Sequence, residues 1–321
     1  MPLLEVRDLV VRYPVRTPLF HRQRYLYAVN GVSFTLDHGE TLGLVGESGC
    51  GKSTLGKTLV KLETPCRGGI TLAGEDLIRA RGARLRELRK KFQMIFQDPY
   101  GSLNPRLTVF STLDEVLALH FSERREARRE RAAALLEQVG LTADALDRYP
   151  HQFSGGQRQR IGIARALAAG PEFIVADEPV SALDVSVQAA IVNLLGDIQR
   201  KSGTAFLFIA HDLAVVEHIS DRIMVMYLGS AVELGRADRV TAAPRHPYTA
   251  ALLDAVPTPE SRQRHVPGLS GDVPSPLAPP PGCPFHPRCP FAEPECRRFK
   301  PPLAPVPGDA ERLCACWHPL S

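Results

Sequence analysis

The residues that decide the fold are Gly46-Glu47-Ser48-Gly49-Cys50-Gly51-Lys52-Ser53. They match the pattern G-x-x-x-x-G-K-[ST] and lie between an apolar run, Thr41 to Val45, and a helical stretch, Thr54 to Leu62. Glycines in such a loop let backbone N–H groups curl around phosphates at a helix N-terminus, where the helix dipole favours anions. A strand, a phosphate-binding loop and a helix in this order predict a nucleotide-binding α/β domain.

The loop also assigns individual roles. Lys52 is expected to reach the β- and γ-phosphates of ATP, and the Ser53 hydroxyl is expected to hold Mg²⁺. Thr54, the next residue, completes the predicted ATP contacts. Cys50 lies inside the loop, where it is either a reactive thiol or a small space-filling residue, and the second interpretation is favoured.

Apolar runs elsewhere predict the rest of the fold. Phe173 to Ala176 and Phe206 to Ile209 suit strands buried on both faces of a mostly parallel sheet. Val32 to Leu36 and Ile70 to Ala73 alternate in polarity and suit an antiparallel layer. No strong strand pattern occurs between Asp98 and Phe153, which predicts a helical insert over about residues 98–160.

Proline marks one domain boundary. Seventeen of the 28 prolines lie from Pro257 onward. We therefore predict a cassette over residues 1–255 and a Pro/Cys-rich C-terminal extension over residues 256–321.

A pair of acids follows the predicted strand at Phe173 to Ala176. Asp177 at the end of this strand is placed to bind Mg²⁺, and Glu178 is placed to polarise an attacking water. Acidic residues often end strands, so the pair alone is a weak signal. Together with the phosphate loop upstream, it predicts a catalytic nucleotide site.

Composition excludes several classes of protein. The chain has 321 residues, 44% of them hydrophobic, and a net charge of +4, which is too small to predict nucleic acid as a partner. No apolar run is long enough for a membrane span, and the first residues do not resemble a secretory leader. We expect a cytoplasmic protein whose cysteines are not paired in disulfides.

Four further motifs occur in an order that identifies a family. They are Gln97 in Phe96-Gln97-Asp98-Pro99, the segment Phe153-Ser154-Gly155-Gly156-Gln157-Arg158, the segment Ser181-Ala182-Leu183-Asp184, and His211 in Ile209-Ala210-His211-Asp212. Together with the phosphate loop and the acid pair, these motifs resemble those of ABC-type ATPases over about residues 1 to 255. Phe153 stands where the family more often has Leu.

The resemblance implies a mechanism. Two cassettes would close head to tail around two ATPs, so that Ser154, Gly155, Gly156 and Gln157 contact the nucleotide on the facing subunit. Glu178 would act as the base, His211 would contact the γ-phosphate, and Gln97 would sense Mg²⁺ and the attacking water. An aromatic side chain should stack on adenine; Tyr25 and Tyr13 are both candidates, with Tyr25 favoured.

Other segments indicate a branch of this family. Gln97 to Pro105, the run Arg245-His246-Pro247-Tyr248-Thr249, and Gly282 to Pro290 resemble the ATPase subunits of oligopeptide and dipeptide importers. That likeness implies two membrane permease subunits, an external solute-binding protein, and a peripheral position on the cytoplasmic side of the inner membrane. Nickel and glutathione importers share these features.

A soluble ABC ATPase acting on ribosomes or DNA is the alternative from another class. The second cassette is either a paralogue or another copy of this chain.

Five of the seven cysteines lie between Cys283 and Cys316. Cys283, Cys289 and Cys296 are spaced C-x5-C-x6-C, which is wider than the usual zinc pairs and favours a [4Fe–4S] cluster. The resemblance suggests Cys316 as the fourth ligand, with Cys314 as the alternative. Structural zinc, or a tail of free thiols, remains open.

Overall fold

The computed structural model describes residues 1–15, 24–98, 100–255 and 271–320. The strands are β1 (Leu4–Val15), β2 (Arg24–Leu36), β3 (Thr41–Val45), β4 (Arg67–Leu72), β5 (Glu75–Asp76), β6 (Phe92–Ile95), β7 (Phe173–Asp177), β8 (Ala205–Ile209), β9 (Arg222–Tyr227), β10 (Ser230–Arg236), β11 (Ala304–Val306) and β12 (Asp309–Cys314). The helices are α1 (Lys52–Leu59), α2 (Gly82–Lys91), α3 (Val109–His120), α4 (Arg125–Gln138), α5 (Gly155–Leu167), α6 (Val185–Ser202), α7 (Leu213–Ile219), α8 (Ala237–Ala242), α9 (Pro247–Asp254) and α10 (Pro294–Arg298). Two 3₁₀ turns, Ala143–Asp147 and Pro150–Gln152, lie between α4 and α5.

The chain packs into two compact units. The first unit comprises Met1–Leu36, Thr41–Ile78 and Ile209–Ser321, and the second comprises Asp37–Glu40 and Arg79–Phe208. Neither unit coincides with the predicted division at residue 255, which remains a prediction.

The first unit contains an antiparallel layer and a parallel strand pair. Strands in the order β2-β1-β4-β5 form the layer, in which Leu4 lies opposite both Leu36 and Leu72. Strands β3 and β9 pair in parallel, and β10 and β12 continue from β9 in antiparallel pairs. All five residues of β3 are buried, because the strand has a nearly continuous apolar sequence.

The second unit contains the helical insert. Its strands β8, β7 and β6 are neighbours in that order, with β6 and β7 parallel, and both β7 and β8 are buried along their whole length. Helices α3, α4 and α5 fill the region where the sequence shows no strand pattern. The predicted α/β fold, with parallel strands, an antiparallel layer and a helical insert, is confirmed.

The C-terminal extension is more regular than its proline content suggests. The prolines predict a segment without regular structure, but β12 pairs with β10, with Glu233 opposite Cys314. The reason is local, since residues 308–314 contain no proline and so keep every N–H that the ladder needs.

No helix in the described ranges is both long enough and apolar enough to cross a bilayer.

Candidate nucleotide site and cysteine pocket

The phosphate loop connects β3 to α1 and depends on its glycines. Gly46, Gly49 and Gly51 have φ angles of 149°, 78° and 106°, in the left-handed region that side chains disfavour. A Cβ atom on Gly46 or Gly51 would overlap a backbone carbonyl oxygen, that of Met226 or Ala28 respectively. The loop therefore keeps its backbone close to two neighbouring strands, and only glycine fits at these positions.

Lys52 begins α1 and turns back into the loop. Its ammonium group donates hydrogen bonds to the carbonyl oxygens of Gly46 (2.7 Å) and Glu47 (3.1 Å), and its side chain is buried. The cation is thus held within the loop, close to where the bound phosphates are predicted. Ser53 and Thr54 follow in the first turn of α1.

Cys50 fills space in this loop. It is buried, and burial raises the pKa of its thiol, with Lys52 partly opposing the effect. A thiol with a raised pKa carries little of the reactive thiolate. The space-filling interpretation of Cys50 is therefore the one that its surroundings favour.

The two candidates for adenine stacking occupy different positions. The Tyr13 hydroxyl lies near the side chains of Thr54 and Glu63, next to the phosphate loop, and burial raises its pKa. Tyr25 instead carries the guanidinium of Arg12 over its ring, 4.0 Å from the ring centre. Tyr13 therefore lies close to the first turn of α1, whereas one face of the Tyr25 ring is covered by a cation.

His211 lies at the same edge of the first unit as the phosphate loop. The N–H of Ala210 donates to the carbonyl of Leu44 (3.3 Å), so His211 follows one residue beyond this contact with β3. Asp212 caps α7 by accepting from the N–H of Ala214 (2.9 Å). His211 is exposed at this edge.

Gln97 and Glu178 meet at the carboxyl-terminal edge of the second unit. Strands β6 and β7 are parallel, with Ile95 opposite Ala176. Gln97 and Glu178 each follow this pair by two residues, and they therefore lie side by side. The Gln97 amide donates to a Glu178 carboxylate oxygen at 2.8 Å. Asp177 is buried at the end of β7, and Glu178 has a φ of 45°, a strained value for a residue other than glycine. The structure thus brings together three of the predicted residues.

The signature segment forms the N-terminus of α5. The Ser154 side chain accepts from the N–H of Gln157 (3.3 Å), while the Gln157 side chain accepts from the N–H of Ser154 (3.0 Å), a capping box. Gly155 and Gly156 occupy the first turn, so the chain offers backbone N–H groups and the positive end of the helix dipole there. This end suits a negatively charged ligand.

The predicted cluster ligands converge on one pocket. Cys283, Cys289, Cys296 and Cys316 all line a cavity of about 20 Å³ in the C-terminal extension, whereas Cys314 does not. Burial raises the pKa of Cys289, and it raises that of Cys316 to about 11, with the nearby thiols adding to both effects. These four cysteines all belong to the C-terminal extension, whose fold brings Cys316 beside Cys283, Cys289 and Cys296.

The pocket lacks the geometry of a single-ion site. Among the described residues, no group of three or more His, Cys, Asp or Glu side chains is arranged around one metal ion. Thiolates on a zinc ion must all lie about 2.3 Å from the same point. In an iron–sulfur cluster each thiolate binds a different iron, so wider spacing is compatible with that group.

Sequence reasoning missed two residues beside the phosphate loop. Arg288 and Tyr248 both contact Glu47. They lie in the runs that indicated the family branch, but neither spacing nor residue type revealed which atoms they touch.

The fold and these sites define an ABC-type ATPase, and comparisons with known proteins agree. The family model "ABC transporter" matches residues 29–181, and "Oligopeptide/dipeptide transporter, C-terminal region" matches residues 232–296. The chain is 49% identical over 318 residues to the dipeptide transport ATP-binding protein DppF of Escherichia coli (strain K12), covering 98% of this chain and 94% of that protein. It is 50% identical over 308 residues to the oligopeptide transport ATP-binding protein OppF of Salmonella typhimurium, covering 94% and 92% respectively.

A solved structure shows the same fold. The ATP-binding cassette MJ0796, in a dimeric post-hydrolysis state bound to ADP and Pi, superposes with a TM-score of 0.63 at 28% identity, covering 73% of this chain and 98% of that one. The chain therefore belongs to the family of ABC transporter ATP-binding proteins, and it is an ATPase of that family.

Proposed function

We propose that this chain is the ATP-hydrolysing subunit of an ABC importer that carries peptides across the cytoplasmic membrane. The observation that carries the proposal is the hydrogen bond between Gln97 and Glu178 at the edge of the second unit. It holds a carboxylate and an amide together, as activation of a water molecule requires. Peptide import is supported by relatives named for dipeptide and oligopeptide transport.

The proposed reaction assigns a task to each residue of the site. Lys52 and the loop N–H groups bind the β- and γ-phosphates of ATP. Glu178 accepts a proton from the attacking water, and Gln97 orients that water. His211 contacts the γ-phosphate. When bound, Mg²⁺ neutralises charge on the phosphates, and Ser53, Asp177 and Gln97 are the residues that would hold it.

The exposed N-terminus of α5 supports a head-to-tail dimer. Its N–H groups have the polarity to bind the phosphates of a nucleotide seated on a second cassette. Closure around ATP and opening after hydrolysis would then move two permease subunits, to which an external binding protein delivers solute. In this arrangement the chain would be a peripheral subunit on the cytoplasmic face of the inner membrane.

We also propose that the cysteine pocket holds a [4Fe–4S] cluster through Cys283, Cys289, Cys296 and Cys316. Their convergence on one cavity supports a shared ligand there, and the spacing C-x5-C-x6-C favours the cluster over zinc. When bound, the cluster would cross-link four segments of the extension and so stabilise its fold.

Uptake of a labelled dipeptide in cells that depend on this chain tests the transport proposal. Cells producing Glu178→Gln should lose dipeptide uptake while keeping nickel uptake, and the variant protein should accumulate to the parental level. Dipeptide uptake at the parental rate would contradict the proposal. Loss of nickel uptake alone would redirect it to a metal importer.

A further inference from the structure

Glu47 places a carboxylate inside the phosphate loop. It is the second residue of the phosphate loop and the only acid between Gly46 and Ser53. A free carboxylate next to bound phosphates repels them and weakens binding. The loop therefore needs a device that cancels this charge.

Arg288 supplies the compensating charge. Its guanidinium donates two hydrogen bonds to the Glu47 carboxylate, at 2.7 and 3.1 Å, in the paired geometry that arginine forms with carboxylates. Only 5% of the Arg288 side chain and 24% of the Glu47 side chain are exposed. Arg288 immediately precedes Cys289, so the cysteine-containing loop of the extension reaches the phosphate loop directly.

Tyr248 contacts Glu47 through the Glu47 backbone. Its hydroxyl accepts a hydrogen bond of 2.9 Å from the N–H of Glu47. The ring is fully buried and packs against Tyr227 and Phe285, with ring centres 4.7 and 5.4 Å away. Such packing leaves the hydroxyl little freedom.

The Tyr248 backbone is anchored in turn. The N–H of Tyr248 donates to Nδ1 of His246 at 3.0 Å. The N–H of His246 donates to the buried carboxylate of Glu233, also at 3.0 Å. Glu233 in turn accepts from the Arg312 guanidinium at 3.0 Å, so the run around His246 links β12 to the phosphate loop.

We propose that Arg288 and Tyr248 are positioning residues for ATP binding, through which the C-terminal extension sets the charge and the backbone orientation of the phosphate loop. The N–H, carbonyl and carboxylate of Glu47 are each engaged, by Tyr248, Lys52 and Arg288 respectively. Loss of Arg288 would free a negative charge beside the phosphates. This inference rests on the nucleotide binding proposed above.

A set of three variants of the full-length chain tests the charge argument: Arg288→Gln, Glu47→Gln and both together. Arg288→Gln should weaken binding of a fluorescent ATP analogue on the order of tenfold, because the carboxylate is left unpaired. The double variant should bind the analogue more tightly than Arg288→Gln alone, because the carboxylate is gone. In turnover assays KM for ATP should be higher in Arg288→Gln than in the double variant, while kcat stays at the parental value in both.

The controls separate positioning from simple support of the fold. Arg298→Gln changes an exposed arginine of the same extension and should bind like the parent. Tyr248→Phe keeps the ring, removes the acceptor, and should raise KM about threefold, a smaller effect than that of Arg288→Gln. Circular dichroism should show that each variant is folded.

Two results would overturn the proposal: parental affinity in Arg288→Gln, or a defect in that variant that Glu47→Gln does not relieve. The second result would mean that Arg288 only holds the extension in place. Lys52→Ala serves as a separate reference, since parental ATP binding in that variant would contradict the nucleotide site itself.

Discussion

The phosphate loop and the cysteine pocket hold their functional groups by different means. The loop is one continuous stretch whose shape is imposed by glycines at left-handed φ angles between a buried strand and a helix. The pocket takes Cys283, Cys289, Cys296 and Cys316 from several segments that only the folded extension brings together. The loop is therefore shaped mainly by its own sequence, with distant residues engaging Glu47, whereas the pocket forms only through the tertiary structure of the extension.

This difference predicts how each region responds to change. Backbone donors in the loop exist as soon as the strand and helix form, so single substitutions of its non-glycine side chains should alter binding without altering the fold. Burial raises the pKa of Cys289 and of Cys316, so without a ligand these thiols stay protonated, and a bound cluster would stabilise the pocket by cross-linking the residues that hold it. Four predictions sharpen or break the comparison, in order of expected effect.

Lys52→Ala should have the largest effect. The variant removes the ammonium group that lies within the loop, so ATP affinity should fall at least about a hundredfold while the fold is retained. Titration with a fluorescent ATP analogue measures the loss. Lys57→Ala, one and a half turns along the same helix, is the matched control and should bind normally. A large unfolding effect of Lys52→Ala would contradict the view that the loop is locally specified.

Cys283→Ser should release iron and lower the stability of the extension. Iron and acid-labile sulfide on anaerobically purified protein should fall from roughly four of each per chain to about zero. Cys66→Ser removes an exposed cysteine outside the pocket and should leave both unchanged.

Cys314→Ser and Cys316→Ser decide the fourth ligand within the same measurement. Because Cys316 lines the cavity and Cys314 does not, only the Cys316 variant should lose iron. An iron content in Cys283→Ser equal to that of the parent would contradict the ligand assignment.

Acid should destabilise the first unit through His246. Burial lowers the pKa of His246 to about 4 from its ordinary value of 6.5, so between these values the unfolded chain takes up a proton that the folded chain refuses. Stability should therefore be full above about pH 6.5 and fall by up to about 1.4 kcal/mol per pH unit below it. Urea unfolding at about pH 7.5 and about pH 5.5 measures the slope.

His246→Asn isolates that titration. The Asn side-chain oxygen can replace Nδ1 as the acceptor for the N–H of Tyr248, and asparagine is a good helix cap. The variant should lose part of the acid sensitivity. If the pH dependence of the free energy of unfolding is unchanged in the variant, the acid sensitivity belongs to other groups.

Removing the adenine-stacking side chain should have the smallest effect. Tyr13→Ala should raise KM for ATP several-fold, since stacking of a base on an aromatic ring contributes about 1–3 kcal/mol. Tyr25→Ala should change KM less, because Arg12 covers one ring face. The reverse order would favour the assignment made from sequence, Tyr25.

Sequence predicted the fold well because its decisive signals are short-range. The apolar runs Phe173 to Ala176 and Phe206 to Ile209 became strands β7 and β8, and the loop glycines have the expected backbone angles. The strands at Ala304–Val306 and Asp309–Cys314 were missed, because they form through pairing of β12 with β10 and of β11 with β12, which the local proline content does not indicate.

Local sequence patterns did not predict contacts between segments that are distant in the chain. The motifs placed Gln97 and Glu178 in one mechanism, but only the parallel register of β6 and β7 shows that they hydrogen-bond. Arg288 lies 241 residues from Glu47, and no periodicity or spacing connects the two.

Hydrolysis by Glu178→Gln tests the central claim most directly. The measurement is ATP turnover and ATP binding on the complex purified through the tagged chain, with parent and variant compared at equal protein. The variant should bind ATP as tightly as the parent, hydrolyse it at least about a hundredfold more slowly, and remain in the closed dimer. Hydrolysis at the parental rate would contradict the assignment of Glu178 as the base and, with it, the proposed mechanism.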